Sequence, residues 1–325
     1  MPYINVDEAY ILDNTGLQVD QVVDIPYTDA ALTDTQKAQA RKNIEAGGTN
    51  PNLLDNPFFT VNQRSLTTYA LTGNAYFVDR WKSSGGNTIT VSTDGISMVP
   101  GTGTHQNLIQ ANPIIGNLLG RTLTASVMSQ TGEISSVTFT LPSSISSGTL
   151  YDGGSVTVDN VGLKVYIANT YSGLPSGYAF WLYSSSTAQT VNYRAVKLEL
   201  GTVSTLLNDT PPNYAEELAK CQHYFVRLNM NANRCYGVGF AESTTSVRVN
   251  VPIPTTMRTD PSITTSGTIR LKGNGGVFAP TAYSVQSDAH TGAVSLSITV
   301  SGATQYAIYA LSANDAAYID LSADL

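Results

Sequence analysis

The chain has 325 residues, a net charge of −7, two cysteines and 13% charged residues. A chain of that length can bury two ordinary cores without metal or disulfide staples, and two cysteines cannot build a disulfide framework. The acidic balance, with no Lys/Arg block, removes the electrostatic attraction that supplies most non-specific nucleic-acid affinity, so no nucleic-acid partner is expected. Charged residues stand at roughly half the usual level of about 25%, leaving Ser, Thr, Asn and Gly to carry the polarity, as suits hydrogen-bonded β-structure.

The opening "MPYINVDEAYILDNTGLQVD" has no basic start followed by an apolar run, so a secretory signal is not expected. No stretch approaches the ~20 apolar residues that span a bilayer, so membrane insertion is not expected either. Synthesis in a cytoplasm, with Cys221 and Cys235 reduced, follows as the expectation. Residues 1–31 have no clear period and read as an extended leader. In "LTDTQKAQARKNIEAGG" (32–48), Thr33 and Gln36 have capping-box spacing and Gly47-Gly48 form a stop, predicting a short helix. Its thin apolar content implies docking on other copies or on a neighbouring protein.

From Pro51 to about Asn208 the hydrophobic period becomes two. Strands are predicted at 87–92, 96–99, 121–129, 136–141, 155–159, 163–168, 178–184 and 192–200, with Asp94-Gly95 as a hairpin turn. Many short alternating strands and almost no helix predict a two-sheet antiparallel sandwich of jelly-roll type. In "PPNYAEELAKCQHYFVRLN" (211–229), Asn213 and Glu216 repeat the capping-box spacing, and Glu216 and Glu217 favour the positive end of a helix dipole. Tyr214, Leu218, Cys221, Phe225 and Leu228 are spaced four, three, four, three, which predicts a helix with a short coiled-coil seam that joins oligomerising domains. Strands resume at 245–254, 262–272, 292–301, 305–313 and 316–322, predicting a second, smaller β-domain.

Cys221 and His223 stand two apart, which on a helix points them in directions about 200° apart and excludes a nucleophile–base pair there. His105, His223 and His290 share no ligand spacing, so no metal centre is predicted, and no EF-hand loop occurs. "GNGG" (273–276) lacks the Lys-Ser/Thr of a phosphate loop and reads as a hairpin turn. Asp55, Asp79 and Asp94, and likewise Asp260, Asp288 and Asp315, could assemble paired carboxylates, but nothing selects a pair. No catalytic residue and no cofactor is therefore assigned. Sugar sites combine exposed aromatic rings with polar side chains. In "YAFWLYS" (178–184), Tyr178, Phe180 and Leu182 share the face expected to be core. Trp181 and Tyr183 then face outward or into a groove, as ligand-binding candidates or as a contact with a second sheet or another copy. Trp81 is expected to be buried with its indole N–H satisfied. In the terminal region, Tyr236, Arg248, Tyr283 and His290 lie near predicted loops or strand ends and are nominated as receptor contacts.

Four segments in order carry a resemblance. "LTDTQKAQARKNIEAG" resembles a helical segment near the N-terminal side of tail-fibre and tail-appendage proteins of bacteriophages and prophages. "NLLDNPFFTVNQRS" with "YFVDRW" (76–81), and "AVKLELGTVSTLL" (195–207), resemble the beginning and end of a carbohydrate-binding-type jelly roll found in such proteins. "NYAEELAKCQHYF" resembles the helix before their C-terminal tip domain. The resemblance implies a non-enzymatic homotrimer on a virion tail that recognises a bacterial surface glycan during host adsorption. It also implies contact with other tail proteins and release of the particle by lysis. The expected layout is an attachment segment with a short helix (1–50), a jelly-roll sandwich (51–210), a trimerising helix (211–230) and a β-sandwich tip domain (231–325). A connector that binds only other tail proteins, and a freestanding carbohydrate-binding module, are the alternatives.

Overall fold

The computed structural model describes residues 49–101, 105–174, 176–185, 189–273, 276–286 and 292–324, together with Thr33, Thr35, Gln36 and Gln39. The leader expected over 1–31, the Gly47-Gly48 stop and His290 lie outside the described residues. The described chain is mainly β, and its sheets are antiparallel.

Two six-stranded sheets share the first core. One runs in the order Thr68–Ala70, Thr88–Ser92, Gly95–Val99, Val191–Leu200, Thr122–Ser129, Ile134–Thr140. The other runs Ala75–Tyr76, Lys82–Ser83, Gln106–Ala111, Tyr178–Ser184, Val161–Asn169, Thr149–Val158. Ile89, Met98, Val127 and Leu198 from the first meet Leu108, Leu163, Val165, Phe180 and Leu182 from the second. The period-two pattern produces this directly, because alternate side chains of a strand reach one face. The Asp94-Gly95 turn closes the hairpin that pairs Thr88 with Val99. Gly95 has φ +120, and a Cβ there would sit 2.0 Å from the Tyr193 carbonyl oxygen, so only glycine fits.

The "AVKLEL" strand shows what its charged residues are for. Val196 and Leu198 enter the core, while Lys197 and Glu199 lie fully buried on the opposite face. Lys197 Nζ donates to Thr205 Oγ1 at 2.8 Å and to Asp209 Oδ1 at 2.7 Å. Glu199 accepts the Thr205 N–H at 2.8 Å and its hydroxyl at 2.6 Å. These bonds clip residues 204–209 over the sheet. A buried charge is tolerable only when paired and hydrogen-bonded in this way.

A three-stranded sheet (Phe225–Met230, Ala317–Ser322, Ser262–Ser266) and a seven-stranded sheet share the second core. The larger sheet runs Gly276–Phe278, Ile269–Gly273, Ile308–Ala313, Gly237–Ala241, Ser246–Pro252, Ala293–Thr299, Ala282–Val285. Gly273 pairs with Gly276 at the ends of two adjacent antiparallel strands, and Asn274 and Gly275 between them lie outside the described residues. Val238, Phe240 and Ile308 are exposed.

The helix expected over 211–230 is shorter: it spans Tyr214–Gln222. Asn213 caps it by accepting the Ala215 N–H at 2.9 Å. The chain then enters the strand Phe225–Met230, which pairs along its whole length with Ala317–Ser322. Aromatic and β-branched Tyr224, Phe225 and Val226 suit a pleated surface, and the long-range partner strand overrides the helical spacing. The five seam residues therefore form no stripe. Tyr214 is exposed, Leu218 half-buried and Cys221 buried, while Phe225 and Leu228 lie on opposite faces of a strand.

Near the N-terminus the capping box is present. Thr33 N–H donates to Gln36 Oε1 at 2.9 Å, and Gln36 N–H donates to Thr33 Oγ1 at 3.2 Å. Thr35 Oγ1 accepts the Ile134 N–H at 3.0 Å, so this turn touches its own chain.

Candidate functional site

The strand Tyr178–Ser184 separates its aromatic residues as its alternation predicts. Phe180 and Leu182 are fully buried in the first core, and Trp181 and Tyr183 are half-buried on the outer face. Register brings further rings to them. Tyr166 lies across from Trp181, and Lys164 across from Tyr183. On the other side Ile109 faces Trp181 and Asn107 faces Tyr183. Trp181 and Tyr183 have ring centroids 5.1 Å apart, Tyr166 and Trp181 5.4 Å, and Tyr171 and Trp181 6.3 Å. His105 extends the group, 5.2 Å from Tyr183. The result is a cluster of five rings on one sheet face, partly open to solvent. Around it stand the exposed Lys164–Asp152 pair at 3.0 Å and the Asn107 amide, which donates to Ser84 Oγ at 3.0 Å. Trp181 Nε1 is buried and donates to no described group. Ring faces that can cover the C–H faces of a sugar, beside polar side chains that can bind hydroxyls, are the elements of a glycan site.

Sequence reasoning found Trp181 and Tyr183 but missed Tyr166, Tyr171 and His105. The alternation of "LKVYIA" does place Tyr166 opposite the core residues Leu163, Val165 and Ile167. Joining it to Trp181 requires the cross-strand register.

The other nominated residues that are described do not converge. Arg248 pairs with Glu242 at 2.8 Å on the outer face of the seven-stranded sheet. Tyr283 packs against the second core, and burial pushes its hydroxyl up to about 12. Arg248 and Tyr283 lie on opposite faces, since Arg248 faces Ser297 whereas Tyr283 faces Ile298. Tyr236 is half-buried, and its hydroxyl accepts the Asn231 N–H.

A second concentration of chemistry lies where the two sheet pairs meet. The segments "NLLDNPFFTVNQRS", "YFVDRW" and "NYAEELAKCQHYF" all converge there. Asn56 sits at φ 50 and accepts the Val61 N–H through its side chain, while its amide donates to the Val61 and Asp79 carbonyls. Its backbone N–H reaches Glu217 Oε1, and its carbonyl accepts the Trp81 indole N–H at 2.9 Å. Trp81 is fully buried, as expected. Arg80 binds Asp55 at 3.0 Å and the Ala111 carbonyl at 2.6 Å, and its guanidinium lies 3.3 Å from the Tyr224 ring centroid. Arg64 lies 3.8 Å from the Phe225 ring centroid, and Gln63 donates to the Phe225 carbonyl at 2.7 Å. Asp324 stands 3.6 Å from Arg64 and 3.7 Å from Arg80. Burial pushes Asp79 up to about 6, against the nearby Arg64 and the Gln63 N–H bonds, and burial likewise raises Asp324. Gln63, Arg64 and Arg80 fasten the first sheet pair to the second through Phe225, Tyr224 and Asp324. Asp55 and Asp79 are held by guanidinium groups or by Gln63.

Cys221 is fully buried and its thiol is pushed far up by burial, so it behaves as a small hydrophobe. His223 caps the helix and its Nδ1 lies 2.7 Å from the Thr256 carbonyl oxygen. Among the described residues, no group of three or more His, Cys, Asp or Glu is placed to hold a metal ion. Among the described residues, no helix is long and apolar enough to cross a membrane. No known protein family matches the chain, and neither a curated protein nor a solved structure matches it.

Proposed function

We propose that this chain is a non-enzymatic receptor-binding component of a bacteriophage or prophage tail that binds a bacterial surface glycan during host adsorption. The observation that supports it is the outer aromatic face: Trp181, Tyr183, Tyr166, Tyr171 and His105 gathered, partly exposed, beside Lys164, Asp152 and Asn107. Strands hold Trp181, Tyr183 and Tyr166 in place, so little ordering of these rings is needed on binding. In this reading, residues 51–210 form a carbohydrate-binding jelly roll and 231–325 a β-sandwich tip. The segment 1–50 mounts them on other tail proteins of the virion, and three copies assemble. The helix Tyr214–Gln222 serves as an internal strut, since its seam residues do not make a stripe for trimerisation.

Fluorescently labelled protein should stain host cells, and Trp181→Ala should abolish the staining while leaving the fold intact. Light scattering of the purified chain should give three times the monomer mass; a monomer at micromolar concentration sinks the trimer. A connector that binds only other tail proteins is the second reading, favoured by the exposed Val238, Phe240 and Ile308. It predicts unstained cells.

A further inference from the structure

A cleft of about 390 Å³ opens where the two sheet pairs meet, and it shares no residue with the aromatic face. Leu53, Asp55, Ile114, Lys220, His223 and Tyr224 are among its walls. They come from four places: the loop after Pro51, the 3-10 turn Pro113–Leu118, the end of the helix and the residues that follow it. Small ligands are commonly bound at such junctions, in pockets of about 300–1,000 Å³.

The polar groups define the ligand. A carbonyl oxygen only accepts, so the contact with Thr256 puts the proton of a neutral His223 ring on Nδ1 and leaves the Nε2 lone pair unused. Asp55 gives Oδ2 to Arg80, and its Oδ1 takes no hydrogen bond from the described residues. These are two free acceptors. Lys220 uses one N–H on Glu217 at 3.1 Å, leaving two more, and the Tyr224 hydroxyl has no described partner. These are the donors. An anion would meet the Asp55 carboxylate and a cation would meet the Lys220 ammonium. Neutral hydroxyl groups satisfy both sets, and Leu53 with the exposed Ile114 offers apolar surface for C–H groups.

We propose that this cleft is a second ligand site, which takes a neutral polyhydroxylated ligand the size of a monosaccharide unit. The test is saturation-transfer NMR on the full chain with D-glucose, D-galactose and N-acetyl-D-glucosamine, with D-glucuronate and D-glucosamine as charged comparisons. Trp181→Ala, which disables the aromatic face, should keep a signal from at least one neutral sugar, several-fold stronger than that from either charged one. Adding Ala219→Phe, at an exposed helix position beside the cleft, should abolish that signal. Ile114→Arg blocks the cleft from a different element and should do the same if the helix variant fails to fold. Loss of all signal in Trp181→Ala alone overturns the second site and leaves the aromatic face standing. Signal that survives both blocks, or no signal from the unaltered chain, also overturns it.

Discussion

Replacing Asp79 by asparagine tests which force governs the junction between the sheet pairs. The side chain is fully buried, accepts two hydrogen bonds from Gln63 at 2.7 and 3.0 Å, and lies 3.7 Å from an Arg64 nitrogen. Pairing favours the carboxylate; burial favours the acid, and burial wins, with Asp324 as a further negative neighbour. The rise from 3.8 to about 6 corresponds to roughly 3 kcal/mol, at about 1.4 kcal/mol for each pH unit. Because the folded value lies above the unfolded one, this contribution is complete below about pH 4 and is lost as pH rises through about 6. Urea unfolding across that range should show the unaltered chain losing up to roughly 3 kcal/mol more than Asp79→Asn as pH rises. The slope is the readout, since the amide also changes the bonds to Gln63. Asp324 and Asp209 are raised too and act in the same direction in both proteins. Equal slopes, or a stability that climbs more steeply with pH in the unaltered chain, would refute the reasoning and show that Arg64 and Gln63 dominate.

Arg80→Ala removes the bonds to Asp55 and Ala111 and the stacking on Tyr224, and leaves Asp324 with one guanidinium; it should cost about 3–5 kcal/mol by thermal unfolding. A cost under about 1 kcal/mol, the level of a surface pair, would show the junction to be loose. With a thiol reagent at neutral pH, exposed Cys235 should react at once and buried Cys221 only on unfolding. Two fast thiols would place Cys221 at the surface. Gly95→Ala must move the Tyr193 backbone and should lower the unfolding midpoint strongly; an unchanged midpoint contradicts the tight approach of the two strands.

The strands of the first sheet pair were legible because alternation is written into each of them: Phe180 and Leu182 inward, Trp181 and Tyr183 outward. The strands Gln106–Ala111 and Thr68–Ala70 were not. The first is buried along its whole length, polar Gln106, Asn107 and Gln110 included, which erases the alternation. The second is three residues long. The helix misled further along, since the spacing from Tyr214 to Leu228 fits a heptad while Phe225–Met230 is claimed by a strand nearly a hundred positions away. Local pattern cannot report a partner that distant. The candidate site was half legible for the same reason: Trp181 and Tyr183 sit in one strand, whereas Tyr166, Tyr171 and His105 join them only through register and loops. The conspicuous polar and aromatic residues of the quoted segments carry architecture. Asn56 with Glu217 and Arg80 with Tyr224 link the first sheet pair to the segment that leads into the second, Trp81 holds Asn56 from the first core, and Lys197 with Glu199 pins the segment 204–209.

Glycan binding by the outer aromatic face is measured most directly by titrating purified host surface polysaccharide into the unaltered chain and into Trp181→Ala by isothermal calorimetry. Saturable binding by the unaltered chain, weakened about tenfold or more by the substitution with the unfolding midpoint unchanged, is the predicted result. Equal affinity in the two proteins, or no heat from either with polysaccharide of a host whose cells the protein stains, would contradict it.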